Sequence, residues 1–225
     1  MLEKYQKDFI QFLLKSNALQ FGEFKLKSGR LAPYFINAAN FNDGDLLSEL
    51  GKYYAAHIVN SKLSDINNIF GPAYKGIPLA VTTCTSLFRD FGFKCGYSFD
   101  RKEVKQYGDG GKIVGKKLDD SSKVVIVDDV VTAGTTLSEV VPALRALGNL
   151  EIAAVVIMVD REEKGASMQN ISAVAEMRRD LNIKILPIVT ITQIIQYLTT
   201  EEAGNYKLSS DILDKINSYR AEFAA

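Results

Sequence analysis

The sequence predicts an α/β fold in which helices flank a doubly wound, mostly parallel sheet, with a small N-terminal hood. From residue 66 onward, short apolar runs alternate with longer segments of helical apolar spacing, the rhythm of parallel strands joined by crossover helices. The run VVIV at residues 124–127 is apolar throughout, as expected of a strand buried on both faces. Residues 21–42 instead place Gly22, Gly29 and Pro33 between short alternating runs, which predicts small strands and turns.

The length and composition indicate a single globular domain. The 225 residues are 47% hydrophobic and 24% charged, and no interdomain linker is evident. We therefore expect one domain over residues 1–225, with the hood at about 19–42 and the core at about 43–225. The 27 Lys and Arg residues balance the 27 Asp and Glu residues, which argues against a nucleic-acid partner. The longest apolar stretches are too short to span a bilayer, which argues against a membrane partner.

The cysteines and the histidine limit the kinds of catalytic and metal site that the sequence can form. Cys84 and Cys95 are too far apart for a CxxC motif and no signal peptide is evident, so we expect two buried thiols in a cytoplasmic protein. His57, the one histidine of the sequence, lies in a segment of helical spacing, where a structural or surface role is expected. A histidine-dependent triad and a multi-histidine metal site are therefore not expected.

Apolar periodicity predicts the other elements. Helices of amphipathic spacing are expected at residues 1–18 and 46–59. Strands are expected at residues 66–70, 94–99, 123–127, 152–159 and 183–189. Helices are expected at residues 78–91, 136–147, 168–181, 190–198 and 209–223. The helix at 136–147 has two candidate caps, because Thr136 begins a capping box but leaves Pro142 beyond the first turn, whereas Ser138 relieves that conflict.

Two aspartates end the apolar strand at residues 124–127. Asp128 and Asp129 are expected at its carboxyl end, where open α/β sheets bind their ligands. The small residues that follow can wrap backbone amides around a phosphate at the start of the next helix: Thr132, Ala133, Gly134, Thr135 and Thr136. Carboxylates repel phosphate, so their own partner should be sugar hydroxyls or a metal. The segment thus indicates a phosphorylated sugar, and its alternative is an acidic turn with an ordinary helix cap.

Two further segments can bind anions. GPAYKGIP at residues 71–78 lies between a predicted strand and helix, so that Lys75 stands beside exposed amides. Pro78 suits the first helical position, and the alternative is a plain turn with a solvated lysine. RKEVKQYGDGG at residues 101–111 combines positive charge with three glycines, so it can be a mobile loop that closes over a polyanion. Its alternative is a solvated hairpin.

These segments resemble a known family. The string at residues 124–136 resembles the phosphoribosyl-pyrophosphate (PRPP) motif of the type I phosphoribosyltransferases. Residues 71–78 and 101–111 resemble the diphosphate loop and the catalytic loop of the orotate phosphoribosyltransferase family. Residues 24–42 resemble its orotate-side hood, and VDRE at residues 159–162 resembles its strand-end Asp-Arg element. The segments occur in family order.

The resemblance implies a role for each matching residue. Asp128 and Asp129 would contact the ribose, and the small residues 132–136 would bind the 5′-phosphate. Side chains facing PRPP or its leaving diphosphate would be Tyr74, Lys75, Arg101, Lys102, Lys105 and Tyr107. Lys27 would contact the phosphoribosyl donor or orotate. Phe35 and Ile36 would border the pyrimidine, partly through their backbone, and Thr132 and Arg161 would hold orotate. Arg161 suits this role because a guanidinium pairs bidentately with a carboxylate, which orotate has and uracil lacks.

The chain departs from the family pattern at three positions. Tyr107 stands where many relatives carry histidine, and a tyrosine has no positive charge at neutral pH. Asp43 adds a charge, and Ile36 replaces a frequent phenylalanine.

The resemblance also implies the reaction and its partners. Orotate and PRPP would give orotidine 5′-monophosphate and diphosphate in UMP biosynthesis, with Mg²⁺ held mainly by PRPP and water rather than by a protein cage. A homodimer is implied, in which the catalytic loop reaches the neighbouring subunit's site. Two alternatives are a purine or uracil phosphoribosyltransferase and a non-catalytic PRPP-sensing regulator, and the latter should bind nucleic acid through a basic face.

Overall fold

The computed structural model describes residues 2–26, 29–63, 65–105, 111–130, 135–165 and 170–225. Among these residues, the strands are β1 Leu19–Lys25, β2 Leu31–Ile36, β3 Asn68–Gly71, β4 Gly96–Lys105, β5 Gly111–Gly115, β6 Lys123–Asp128, β7 Glu151–Asp160 and β8 Ile185–Thr190. The α-helices are α1 Lys4–Lys15, α2 Gly44–Asn60, α3 Gly76–Phe91, α4 Thr135–Arg145, α5 Ala173–Leu181, α6 Ile191–Leu198 and α7 Ser210–Phe223.

In the described part of the chain, the central sheet has six strands in the order β5-β4-β3-β6-β7-β8. Strands β4, β3, β6, β7 and β8 are parallel, and β5 pairs antiparallel with β4 at one edge. The sheet therefore gathers the carboxyl ends of β3, β6 and β7 as direct neighbours. We call this part of the sheet the carboxyl edge. The predicted doubly wound, mostly parallel α/β fold is confirmed.

The central strands are apolar because helices cover both of their faces. Val125 and Val127 of β6 pack into one hydrophobic cluster, which also holds side chains of α1, α2, α3 and α6. Val124 and Ile126 point the other way, into a second cluster that holds side chains of α4 and α5. This alternation follows from the two-residue period of a strand.

The N-terminal hood is a two-stranded antiparallel sheet of β1 and β2, followed by a short 3-10 helix at Ala38–Asn40. Its buried residues, such as Leu19 and Tyr34, belong to the same hydrophobic cluster as α1 and α2. Helix α7 contacts β2. The hood is thus held from one side by the N-terminal helices and from the other by the C-terminal helix.

The structure corrects several predicted element boundaries. Helix α5 begins at Ala173 rather than at residue 168, because the Ser172 side chain caps it by accepting a hydrogen bond from the Ala175 amide. Helix α3 begins at Gly76, so Pro78 is its third residue, where the missing amide hydrogen is still harmless. A 3-10 helix at Glu201–Tyr206 was not predicted.

Neither candidate cap of α4 is the residue before the helix. Helix α4 begins at Thr135, which places Thr136 and Ser138 inside it and leaves Pro142 beyond the first turn. The conflict recognised in the sequence is therefore present in the fold. The helix still continues to Arg145 because its buried residues, among them Leu137 and Val141, pack onto β6 and β7.

The two cysteines are partly buried, and the histidine is buried. The prediction that both cysteines are buried was wrong: Cys84 of α3 and Cys95 are only partly buried free thiols, with their Sγ atoms 3.5 Å apart. His57 is buried, its Nδ1 lies 2.9 Å from the Tyr5 hydroxyl, and burial lowers its pKa to about 4. Among the described residues, no helix has the length and apolar character to cross a membrane.

Candidate active site

Asp128 is the last residue of β6, so its side chain lies at the carboxyl edge of the sheet. Its Oδ1 accepts a hydrogen bond of 2.9 Å from the Asp129 amide. Its backbone carbonyl accepts a 2.6 Å hydrogen bond from the hydroxyl of Tyr54, a fully buried side chain of α2. Burial and the neighbouring Asp129 charge raise the pKa of Asp128 to about 6. Asp128 is therefore a carboxyl group of weakened acidity, and Tyr54 of α2 holds its backbone in place.

Lys75 meets this acidic pair from the end of β3. Its Nζ lies 3.0 Å from Asp129 Oδ2, and the lysine side chain is 66% exposed whereas that of the aspartate is 14% exposed. Asp129 is further held by Val130, whose amide donates to Oδ1 at 2.8 Å. The ion pair joins two loops at adjacent strand ends, and its exposed lysine can turn toward a ligand at low cost.

The turn that carries Lys75 depends on a close backbone approach. A Cβ atom on Gly71 would lie 1.9 Å from the carbonyl oxygen of Gly76, so the last residue of β3 must lack a side chain. The Ala73 amide donates a 2.7 Å hydrogen bond to Oδ1 of Asp100, a buried carboxylate on β4. The following peptide bond, Ala73–Tyr74, is cis, and Tyr74 is 72% exposed.

A cavity of about 180 Å³ adjoins the ion pair. It lies between the 3-10 helix of the hood and the start of α3, and its walls include Phe41, Leu79 and Met158. Lys75 and Asp129 contribute the charged part of the lining. A mainly apolar space with one cation and one anion at its rim is typical of sites for small ligands.

Arg161 follows β7, whose end is next to that of β6. Its guanidinium carbon lies 5.2 Å from the centroid of the Tyr34 ring in the hood. The guanidinium is paired within the chain, because Nη2 donates to Glu163 Oε1 at 2.6 Å and Nε donates to the same oxygen at 3.0 Å. The structure thus places the arginine between the hood and the carboxyl edge, with a carboxylate already on one side of it.

Arg101, Lys102 and Lys105 lie in a β-hairpin rather than in a loop. They belong to β4, which pairs with β5 from Ser98↔Gly115 to Lys105↔Gly111. Residues 106–110 lie outside the described residues, so the choice between a ligand-closing loop and a solvated hairpin stays a prediction. Arg101 is partly buried and Lys102 is exposed. Strand β5 was not predicted, because its sequence GKIVG is short and rich in glycine.

Other predicted site residues are placed only in part. The hood residue Phe35 stacks on Phe24 with ring centroids 5.5 Å apart, whereas Ile36 is buried in the core. Thr136 is partly buried in the first turn of α4. The predicted site residues outside the described residues are Lys27, Tyr107, Thr132, Ala133 and Gly134. Of Thr135 and Lys105, only the backbone is described.

Comparisons with known proteins agree on one family. The phosphoribosyl transferase domain matches residues 40–187. The orotate phosphoribosyltransferase of Bifidobacterium longum strain NCC 2705 is 44% identical over 232 residues, covering 100% of both chains. That of Vibrio cholerae serotype O1 is 42% identical over 222 residues, covering 99% of both. The crystal structure of the Francisella tularensis orotate phosphoribosyltransferase is 39% identical, covers 97% of this chain and 100% of its own, and superposes with a TM-score of 0.84.

The chain belongs to the orotate phosphoribosyltransferase family. The predictions of this family and of a transferase enzyme are therefore confirmed. The full-length match to orotate phosphoribosyltransferases also extends through the C-terminal third, which the sequence motifs did not cover.

Sequence reasoning missed the residues that hold the candidate site in place. Tyr54 binds the backbone of the acidic pair, Asp100 binds the turn before α3, and Glu163 binds Arg161. Tyr219 of α7 also donates to Glu163, from a segment with no recognised motif. Glu163 alone had a signal, since it directly follows the Asp-Arg element at residues 159–162. The others act across long separations in sequence, which local patterns do not report.

Proposed function

We propose that the protein transfers the 5-phosphoribosyl group from PRPP to orotate, giving orotidine 5′-monophosphate and diphosphate in UMP biosynthesis. One observation carries the proposal: the adjacent ends of β3, β6 and β7 supply a lysine, two carboxylates and an arginine to one edge of the sheet. A cation for diphosphate, carboxylates for ribose hydroxyls and a guanidinium for a carboxylic base match the three parts of the reacting pair.

The PRPP side is assigned to the first two strand ends. Asp128 and Asp129 would accept hydrogen bonds from the ribose hydroxyls, and the small residues 132–136 would bind the 5′-phosphate at the start of α4. Lys75 would exchange Asp129 for the diphosphate. That exchange is favoured because diphosphate carries more negative charge than one carboxylate, and because the exposed Lys75 loses little on leaving its partner. Tyr74 and Tyr107 would donate hydrogen bonds to the same group.

The orotate side is assigned to the hood and the end of β7. Arg161 would bind the carboxylate of orotate, while Lys27 would contact orotate or the donor. Phe35 and Ile36 would border the pyrimidine, Ile36 through its backbone because its side chain is buried in the core. Thr132 would contribute a hydroxyl hydrogen bond.

Catalysis in this proposal is positioning and electrostatic stabilisation. Orotate is already an anion, so attack on the ribose carbon needs no strong base. The difficulty lies in the departing diphosphate and in the cation-like ribose carbon. Lys75 with the hairpin residues Arg101, Lys102 and Lys105 would neutralise the diphosphate, while Asp128 and Asp129 place negative charge near the ribose.

Magnesium is the proposed cofactor, and the donor set at β6 fits it. Asp128 and Asp129 offer carboxylate oxygens, the ligand type that this hard cation prefers. Among the described residues, no three His, Cys, Asp or Glu side chains converge as a metal-binding group. Diphosphate oxygens and water would therefore supply most of its ligands, and the ion would neutralise charge on the leaving group.

We also propose a homodimer in the cytoplasm that shares its catalytic hairpins. A groove of about 1080 Å³ lies between α3 and β4, with Phe88 and Tyr97 exposed along it. It adjoins β4, the strand that carries Arg101 and Lys102. A second copy of the chain seated there would cover apolar surface and hold the hairpins near both carboxyl edges.

Substrate selection tests the proposed function directly. Purified enzyme with PRPP should consume orotate, followed by its ultraviolet absorbance, and should not consume uracil, adenine or hypoxanthine. Chelation with EDTA should abolish turnover, and added Mg²⁺ should restore it. Turnover of a purine or uracil in preference to orotate would reject the proposed base specificity.

A further inference from the structure

We propose that Glu163 is a positioning residue that aims Arg161 at orotate, and that Tyr219 of the C-terminal helix is part of this device. The inference deepens the proposed function and rests on its assignment of Arg161 to the orotate carboxylate. It makes α7, the last helix of the chain, a contributor to base recognition. No recognised motif falls in that helix.

The hydrogen bonds that carry this inference all meet at one carboxylate oxygen of Glu163. Oε1 of Glu163 accepts hydrogen bonds from Nη2 of Arg161 at 2.6 Å, Nε of Arg161 at 3.0 Å, the Tyr219 hydroxyl at 3.0 Å and the Tyr34 hydroxyl at 3.1 Å. Its donors come from β2 of the hood, from the end of β7 and from α7. The carboxylate therefore joins three distant parts of the chain at one point.

Burial makes this arrangement stiff. The Arg161 and Glu163 side chains are only 12% and 14% exposed, and Tyr34 and Tyr219 are buried. Loss of a partner would leave a charged group poorly solvated, which is costly. Burial and the Glu163 charge raise the pKa of Tyr219 to about 12, and the same causes raise the pKa of Tyr34 further. Both phenols therefore remain hydrogen-bond donors throughout the physiological range.

Glu163 occupies one of the two edges of the guanidinium that can pair with a carboxylate. Glu163 uses Nε and Nη2, which form one edge of the planar fork. The adjacent edge, formed by Nη1 and Nη2, has the same two-donor geometry and suits a second carboxylate. The guanidinium carbon lies over the Tyr34 ring, 5.2 Å from its centroid. Glu163 and Tyr34 thus contact the group that would meet orotate from two sides.

The C-terminus secures the backbone that carries Glu163. Glu162 has a φ of 53°, an uncommon left-handed conformation for a side chain of this size. Two main-chain hydrogen bonds hold the residues on either side of Glu163. Lys164 N donates to Phe223 O at 2.9 Å, and Ala225 N donates to Glu162 O at 3.0 Å. The last residues of the chain thus clamp the turn between Arg161 and Glu163.

The test uses single substitutions that remove few side-chain atoms and so largely spare the packing. Tyr219→Phe removes one hydroxyl but keeps the ring on Phe223, whose centroid lies 4.8 Å away. Glu163→Ala removes the acceptor, whereas Glu163→Gln keeps an acceptor oxygen and removes the charge. Tyr53→Phe is the matched control, because that buried tyrosine donates a 3.0 Å hydrogen bond to a carboxylate, Glu49, within α2. Steady-state kinetics should be measured with orotate and with PRPP varied separately, and melting temperatures recorded for each variant.

We expect the Michaelis constant for orotate to rise about 5-fold in Tyr219→Phe and about 10-fold or more in Glu163→Ala, with kcat and the constant for PRPP nearly unchanged. Glu163→Gln should recover part of the loss, and Tyr53→Phe should match the parent enzyme. Glu163→Ala is expected to lower the melting temperature in either case, because it leaves Arg161 buried without its partner. A merely structural role would instead raise the Michaelis constants for orotate and PRPP alike, and that result would overturn the inference.

Arg161→Ala separates this inference from the function beneath it. If Arg161→Ala strongly raises the Michaelis constant for orotate while the Tyr219 and Glu163 variants do not, the positioning inference is wrong and the proposed role of Arg161 stands. If Arg161→Ala leaves the orotate constant unchanged, the assignment of Arg161 fails and the inference fails with it.

Discussion

Asp128 is a carboxylate in surroundings that oppose its charge. It is largely buried, and the charge of Asp129 lies beside it, so that its pKa is raised to about 6. A backbone hydrogen bond and Lys75 lower that pKa only in part. A group that would bind ribose hydroxyls is thus held in the fold at the expense of stability, as is common at functional sites.

We predict that Asp128→Asn stabilises the ligand-free protein at neutral pH while lowering its activity. Because the folded pKa lies above the ordinary value of 3.8, the unfolded chain releases this proton first, and Asp128 costs stability as the pH rises from about 4 to about 6. The asparagine has no such cost and its Oδ1 can still accept from the Asp129 amide. The gain should approach about 3 kcal/mol well above pH 6 and vanish below about pH 3.

Urea unfolding of the parent and of Asp128→Asn at several pH values checks this prediction. The difference in unfolding free energy should grow with pH and level off above about pH 6. A difference that is the same at pH 4.5 and at pH 7.5 would show that the carboxylate is not destabilised by its surroundings.

Lys105 is expected to act in the transition state rather than in ground-state binding. It is the last residue of β4, at the entry to residues 106–110. We predict that Lys105→Ala lowers kcat by roughly 100-fold or more and raises the Michaelis constants far less, because charge on the diphosphate develops as the bond breaks. Lys112→Ala, on the opposite strand β5, is the control. An unchanged kcat would remove Lys105 from the mechanism.

At the scale of elements, the turn between β3 and α3 is built on two glycines in contact. Gly71→Ala would drive a Cβ to 1.9 Å from the Gly76 carbonyl oxygen, and backbone cannot move aside as a side chain can. We predict a loss of about 3 kcal/mol or more in unfolding free energy and a higher Michaelis constant for PRPP, since the displaced turn carries Lys75. Chemical denaturation and kinetics measure the two effects.

Gly44→Ala is the matched control for that substitution. Gly44 is the first residue of α2, and a Cβ there meets nothing within 4 Å. The alanine should therefore be neutral or slightly stabilising. If both substitutions behave alike, the close approach of Gly71 to Gly76 does not matter for the turn.

Sequence patterns were sufficient for elements whose signal is local. Strand β6 was recognisable because four consecutive apolar residues meet an acidic pair, and the strand end follows from that change. Helix α6 was recognisable from its apolar periodicity, and the structure adds a capping box formed by Thr190 and Gln193. Strand β5 was missed because an edge strand with two glycines carries little propensity, and its pairing with β4 decides it.

Of the candidate site, only the groups that are proposed to face a ligand were predictable from the sequence. Lys75, Asp128 and Arg161 lie in motifs with recognisable spacing, and the structure brings their strand ends together. Tyr54 and Tyr219 support them from helices distant in sequence, and a tyrosine on an apolar helical face looks like any core residue. Such support depends on tertiary packing, which a periodic pattern does not encode.

At the scale of the whole molecule, the central sheet of the described residues ends in a strand that pairs on one side only. Strand β5 is the outermost strand of the central sheet in the described residues. In the groove between α3 and β4, the strand with which β5 pairs, Phe88 is 58% exposed. Proteins cover or blunt such edges to avoid association, or use them for it. The proposed homodimer would use the surface formed by β5 and this groove, and it would place the hairpin of β4 and β5 over the partner's carboxyl edge.

Mixed dimers test that sharing of residues between subunits. If the hairpin acts across the interface, a dimer of one Lys105→Ala chain and one Asp129→Asn chain has one doubly defective site and one intact site. Random pairing of equal amounts makes half of the dimers mixed, so the mixture should recover roughly a quarter of the parent activity. Each variant alone should be nearly inactive. If Lys105 served its own subunit, every site in the mixed dimer would carry one defect, and no activity would return. Co-expression with different affinity tags, sequential purification of the mixed species and an orotate turnover assay distinguish these outcomes, and sedimentation checks that the species is a dimer.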